Sequence, residues 1–142
     1  MNTYIGTKLI QAQPMTRAAY NDYRAWTLPA LENGADEGYL VEYLDGGQPN
    51  DSRHAGYISW SPKAQFEAAY LSIGNASDLQ PHQQRVVGEL VQLNDKIEKL
   101  GAFMTGDKFN AVCDGDEQIR LNEQYATMLL YASILSRRVN AF

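Results

Sequence analysis

The chain has 142 residues, 44% of them hydrophobic and 20% charged, with a formal net charge of −5 and an isoelectric point near 4.9. That length gives one ordinary domain, or two small elements sharing a core, and the acidity excludes the basic stripe of a protein that grips duplex DNA. Cys113 is the only cysteine, which rules out an internal disulfide or a cysteine zinc cluster and fits a reducing cytoplasm. His54 and His82 are too few and too far apart for a metal site. No leader pattern and no apolar run of about 18 residues occurs, so neither a signal peptide nor a membrane span is expected.

In chain order, residues 4–12 suggest a first strand. Thr16 then has the character of a helix N-cap, with Met15 and Tyr20 at hydrophobic-staple spacing. A helix is expected from Arg17 to about Trp26, stopped by Pro29, followed by a polar loop over 29–38. Tyr39–Leu44 is the best strand, rich in aromatic and branched residues. Its alternation puts Tyr39, Val41 and Tyr43 on one face, opposite Leu40, Glu42 and Leu44. The 45–55 loop is too long for a tight turn and too polar to be buried. Gly56–Trp60 is a second strong strand, antiparallel to the first. Ser61 and Pro62 fit the cap and first position of a short helix carrying Phe66, Ala69 and Tyr70. Residues 1–76 therefore suggest a small antiparallel sheet of three or four strands with short helices.

Residues 73–80 are a small and polar linker, and 80–142 have the pattern of a helical hairpin. Its first arm carries Val86, Leu90, Leu93, Ile97, Leu100 and Met104, and its second Leu121, Tyr125, Met128, Ala132, Leu135, Val139 and Phe142. Spacings of four and three alternate on both arms, as two antiparallel helices require to bury a shared face. Gln80 or Asp78 with Pro81 opens the first arm, Gly106 suits its left-handed end, and Asp114 with Glu117 has capping-box spacing before the second. Gly101, inside the first arm, marks close packing or an early fray. The expected class is α+β: a small antiparallel sheet with short helices, followed by a long antiparallel two-helix hairpin.

No catalytic constellation stands out. Ser59–Ser61 lacks a nucleophile elbow and a histidine partner, and no phosphate-cradling glycine loop occurs. Asp114–Glu117 falls short of a calcium loop and is better read as a cap. The remaining chemistry is non-covalent recognition. Arg120 lies beside seam residue Leu121, and Arg137 and Arg138 lie between Leu135 and Val139. Such guanidinium groups either extend into solvent or clamp phosphate. Met104 fits the seam, whereas Phe103 lies off it, free to stack on a base or to pack. The aromatic density of the first 80 residues, seven of nine tyrosines and both tryptophans, suits a core or an interface better than a ligand cage.

Two runs of motifs carry a resemblance. Tyr4-Ile-Gly-Thr-Lys-Leu-Ile, Pro14-Met-Thr-Arg, Tyr20-Asn-Asp-Tyr-Arg, Glu37-Gly-Tyr-Leu-Val-Glu-Tyr and Gly56-Tyr-Ile-Ser-Trp-Ser-Pro-Lys resemble phage Thoeris anti-defence proteins of the first type. His82-Gln-Gln-Arg-Val and Lys96-Ile-Glu-Lys-Leu-Gly-Ala-Phe, with Glu117, Arg120, Leu121, Gln124, Met128 and Tyr131, look like the hairpin domain shared with anti-CBASS sponges. The resemblance implies a phage protein in the cytoplasm of an infected bacterial host. Such a protein sequesters, without degrading it, the cyclised ADP-ribose signal (glyco-cyclic ADP-ribose) of Thoeris defence. It implies homo-oligomers, either dimers or hexamers built as trimers of dimers, some holding cyclic di- or trinucleotides at separate sites. It implies no cofactor. It places Phe103 on the adenine and Arg120, Arg137 and Arg138 on phosphates, with Met104, His82 and Arg85 as further candidates. Competing readings are a signal-degrading enzyme, which needs a general base, and a protein-interaction module without a small-molecule ligand.

Overall fold

A computed structural model describes residues 1–142. The chain divides into two compact units, Met1–Tyr70 and Leu71–Phe142. The first is a small antiparallel sheet with short helices and the second a long packed helical pair, so the architecture is α+β as expected.

In the first unit, β1 (Gln11–Pro14), β2 (Gly38–Tyr43) and β3 (Tyr57–Pro62) form one three-stranded sheet in the order β1-β2-β3. Both pairings are antiparallel, with Gln13 opposite Leu40, Leu40 opposite Trp60 and Glu42 opposite Ile58. The predicted alternation of β2 is real, yet Leu40, Val41 and Glu42 are all buried. The central strand is covered on both faces. Tyr20 and Tyr23 of α1 (Arg17–Tyr23) join Leu40, Ile58 and Trp60 in a core on one face. On the other face α2 (Lys63–Ala69) stacks Phe66 on Tyr39, ring centroids 4.0 Å apart. The exposed edge of β3 is partly blocked by Asn50, whose amide donates to the Ile58 carbonyl and accepts from the Ile58 N–H. That arrangement blunts an edge that would otherwise pair with another strand.

Three local expectations change. The first strand begins at Gln11 rather than Tyr4: residues 11–14 are the ones that pair with β2, and Tyr4 and Ile5 are almost fully exposed. Helix α1 stops at Tyr23, before Trp26 and well short of Pro29. Ala25 takes a left-handed φ of 54°, and Ala25 N–H and Trp26 N–H bond back to the Asp22 and Asn21 carbonyls. This is a Schellman ending with alanine where glycine is usual. Ser61 does not cap α2: it still pairs with Tyr39 in the sheet. Pro62 occupies the cap, and the Lys63 N–H bonds to the Glu37 carbonyl. Thr16 does cap α1, accepting from Ala19 N–H at 3.3 Å.

The second unit is built on α3 (Pro81–Met104) and α5 (Gly115–Val139), joined through the one-turn α4 (Phe109–Val112). Gln83 accepts from the Gln80 N–H at the start of α3, and Asp114 accepts from the Glu117 N–H at the start of α5. Only half of the expected Asp114–Glu117 box forms, because the Glu117 carboxylate turns to Arg120. Gly106 does not adopt the left-handed conformation; Thr105 ends α3 at φ −92°, and its hydroxyl donates to the Gly101 carbonyl. The seam is antiparallel. Gly101 lies against Tyr125, so close that an added Cβ would meet the ring at 3.2–3.5 Å, and the Tyr131 hydroxyl bonds to Glu89 further along. Val86, Ala132 and Leu135 are buried, and Leu135 is fully so. No helix is long and apolar enough to cross a membrane.

Candidate functional site

The helical pair sorts the candidate residues into two groups. With residue 101 facing 125 and residue 89 facing 131, the end of α3 and the start of α5 share one end of the pair. There Phe103 is 37% exposed, and its ring meets buried Phe109 edge-on at 5.7 Å. Met104 is half-buried in the seam, while Arg120 is exposed and paired with Glu117 at 2.7 Å. At the opposite end lie His82 and Arg85 of the first turns of α3, with Arg137 and Arg138 of the last turn of α5, all exposed. Neither Arg137 nor Arg138 makes an ion pair within the chain. Seventeen residues separate Arg120 from Arg137, about 25 Å along a helix. One copy of the pair therefore does not bring Phe103 to Arg137.

Phe103 stays partly exposed beside Phe109, with the two rings perpendicular. Phe109, buried in α4, packs against that ring from the connection between the two long helices. Arg120 and Arg138 are eighteen residues apart, five turns of α5, and so lie along one line of the helix with Thr127 and Tyr131. The Tyr131 hydroxyl is pushed to a higher pKa by its hydrogen bond to the Glu89 carboxylate. It stays a neutral donor across the physiological range. A partly exposed ring and guanidinium groups at helix ends can bind an aromatic phosphate ester.

The first unit holds a polar cluster that the sequence did not reveal. His54 Nδ1 donates to Glu42 Oε2 at 2.7 Å, Gly56 N–H donates to Glu42 Oε1 at 2.9 Å, and His54 Nε2 meets the Tyr23 hydroxyl at 2.8 Å. A carboxylate only accepts, so Nδ1 carries a proton towards Glu42, while Nε2 shares a hydrogen bond with the Tyr23 hydroxyl. Burial pushes the Glu42 carboxyl up, but the hydrogen bonds from His54 and Gly56 outweigh it and hold its pKa below the ordinary value. Arg53 adds a bidentate pair with Asp51 and lies over the Tyr23 ring at 3.6 Å. The side-chain hydrogen bond from Arg53 is the main cause of the low pKa of Asp51. Together these contacts fasten the 45–55 loop to α1 and β2. Polar as it is, the loop buries most of the Asp51 and His54 side chains because each is paired there. No group of three or more His, Cys, Asp or Glu side chains is placed to hold a metal ion.

A family model described as Sequestin matches residues 80–141. That stretch is α3 to α5 almost to the residue, so the second unit carries a Sequestin-family domain, over less than half of the chain. No curated protein matches the chain. No solved structure matches it either.

Proposed function

We propose that the protein is a sponge: it binds a cyclised ADP-ribose signal of Thoeris defence and keeps it from its effector without breaking it down. The observation that carries this reading is the Sequestin match over the very helical pair that holds Phe103 and Arg120 at one end and Arg137 and Arg138 at the other. The adenine would stack on the exposed part of the Phe103 ring, beside Met104. Arg120, released from Glu117, would take phosphate oxygens. Because one copy separates Phe103 from Arg137 and Arg138, a second copy would complete the pocket.

The outer face of α5 supports that second copy. Ile119, Leu130 and Ile134 are 59%, 64% and 40% exposed. With Ala126 and Ser133 they line the side of α5 opposite the seam at near-heptad spacing. That stripe supports a homo-oligomer, and the family resemblance implies a dimer or a hexamer of three dimers. His82 and Arg85, exposed beside the α5 C-terminus, are the proposed site for cyclic di- or trinucleotides.

Stoichiometric competition with an effector requires nanomolar affinity, about −12 kcal/mol. Titration calorimetry with the purified protein and cyclised ADP-ribose isomers tests this. The expected result is nanomolar binding to at least one isomer, weakened by Phe103→Ala. Micromolar binding or weaker to every isomer would exclude the sponge.

A further inference from the structure

The first unit has a cavity of about 470 Å³ between α1, the segment that follows it and β3. Its walls include Arg17, Trp26, Asn50, Tyr57, Ser59 and Trp60. Aromatic residues in a small domain ordinarily fill its core, yet Trp26 is 52% exposed and Tyr57 47% exposed. Both rings line the cavity and keep part of their surface free, although Trp26 also meets Tyr20 with ring centroids 6.1 Å apart.

The charges around the cavity narrow what it can hold. The Arg17 guanidinium lies 4.8 Å over the Trp60 ring, and that of Arg24 lies 4.3 Å over Trp26. Two guanidinium groups already on the indoles oppose an aromatic cage for a cation. Arg17 is in turn paired with Glu32, and Arg24 with Asp51 at 3.8 Å, so no unpaired positive charge is left to attract phosphate. What remains is stacking area and hydrogen-bonding capacity. Arg17 Nε is the one buried side-chain polar atom in the chain without a partner, and such a group in a folded protein ordinarily finds one. Nε is sealed from solvent as it stands, so a turn of the guanidinium over Trp60 is what would bring this donor to an acceptor in the cavity.

From this combination we infer that the first unit binds a nucleobase: a planar, uncharged heteroaromatic ring stacks against Trp26 and Tyr57 and accepts a hydrogen bond from Arg17. The volume lies in the range of small-molecule sites and admits a nucleoside. This site is made by residues 17–60 alone and is separate from Phe103 and the arginines of the helical pair.

The two tryptophans of the chain are Trp26 and Trp60, and both line the cavity, so intrinsic fluorescence reports on it directly. The full chain is titrated with adenosine, adenosine monophosphate and inorganic phosphate. Adenosine and its monophosphate should quench saturably and with similar affinity, and phosphate should do nothing. Arg17→Lys, which keeps a charge for Glu32 but removes Nε–H, should weaken binding about tenfold, and Trp26→Leu by at least as much. Phe103→Ala should leave the titration unchanged, which separates this site from the helical pair. Absence of saturable quenching by adenosine, or equal affinity in Arg17→Lys and Trp26→Leu, would overturn the inference. Quenching that inorganic phosphate reproduces would overturn it as well.

Discussion

Ala25 is the residue at which local strain is plainest. An L-residue with a Cβ at a left-handed φ of 54° costs about 1–2 kcal/mol. It persists because the two back-bonds from Ala25 and Trp26 close α1. Ala25→Gly removes the clash but loosens the unfolded chain, so the net gain should be about 0.5–1 kcal/mol, read as a higher urea midpoint. His54 works in the opposite direction. His54→Ala would leave the buried Glu42 carboxylate with only its backbone donor and cost about 2–3 kcal/mol, with the same measurement as the check. Neither position was conspicuous in the sequence. Alanine is a poor signal for a left-handed turn, and Glu42 and His54 are twelve residues apart on elements that only the folded chain joins. Phe103 was visible, because an aromatic residue off an otherwise regular seam needs a reason. Truncating it to alanine should lower affinity for the cyclised signal by about 1–3 kcal/mol, the usual worth of stacking one base.

Among the elements, the helical pair was the most legible. A stripe of Leu, Ile and Met repeated over α3 and α5 has one way to leave water, and packing against its twin supplies it. Leu135, fully buried near the C-terminal end of that stripe, should cost about 2–5 kcal/mol when replaced by alanine, measured by thermal unfolding. Strands β2 and β3 were also readable from aromatic and branched alternation. The length of β1 was not: a strand needs a partner, and β2 ends at Tyr43. The start of α2 was misplaced by one residue because Ser-Pro before a helix looks the same whether or not the serine still belongs to the sheet. Gly38 makes the β2–β3 pairing possible, since a Cβ there would strike the Ser61 carbonyl and the Trp60 ring. Gly38→Ala should destabilise the first unit by about 1–3 kcal/mol, seen as an earlier loss of tryptophan fluorescence in urea.

The whole molecule should respond to acid mainly through its first unit. The carboxyls of Glu42 and Asp51 both have pKa values below their ordinary ones. The unfolded chain therefore binds more protons than the folded one as pH falls through the carboxylate range, and stability falls with it. That contribution is complete above the ordinary carboxylate pKa and is lost toward the depressed values. Urea midpoints followed by tryptophan fluorescence should drop as pH is lowered below about 5, and Glu42→Gln should flatten the slope.

The proposed function also belongs to this scale, because it calls on a second copy to bring Arg137 and Arg138 to Phe103. The most direct measurement is the fate of the signal. The full chain is saturated with the cyclised ADP-ribose isomer it binds, freed of excess ligand and heat-denatured, and the supernatant is weighed by mass spectrometry. A sponge returns the signal at its original mass in stoichiometric amount. Recovery of a hydrolysed product, or of no nucleotide at all, would contradict the account.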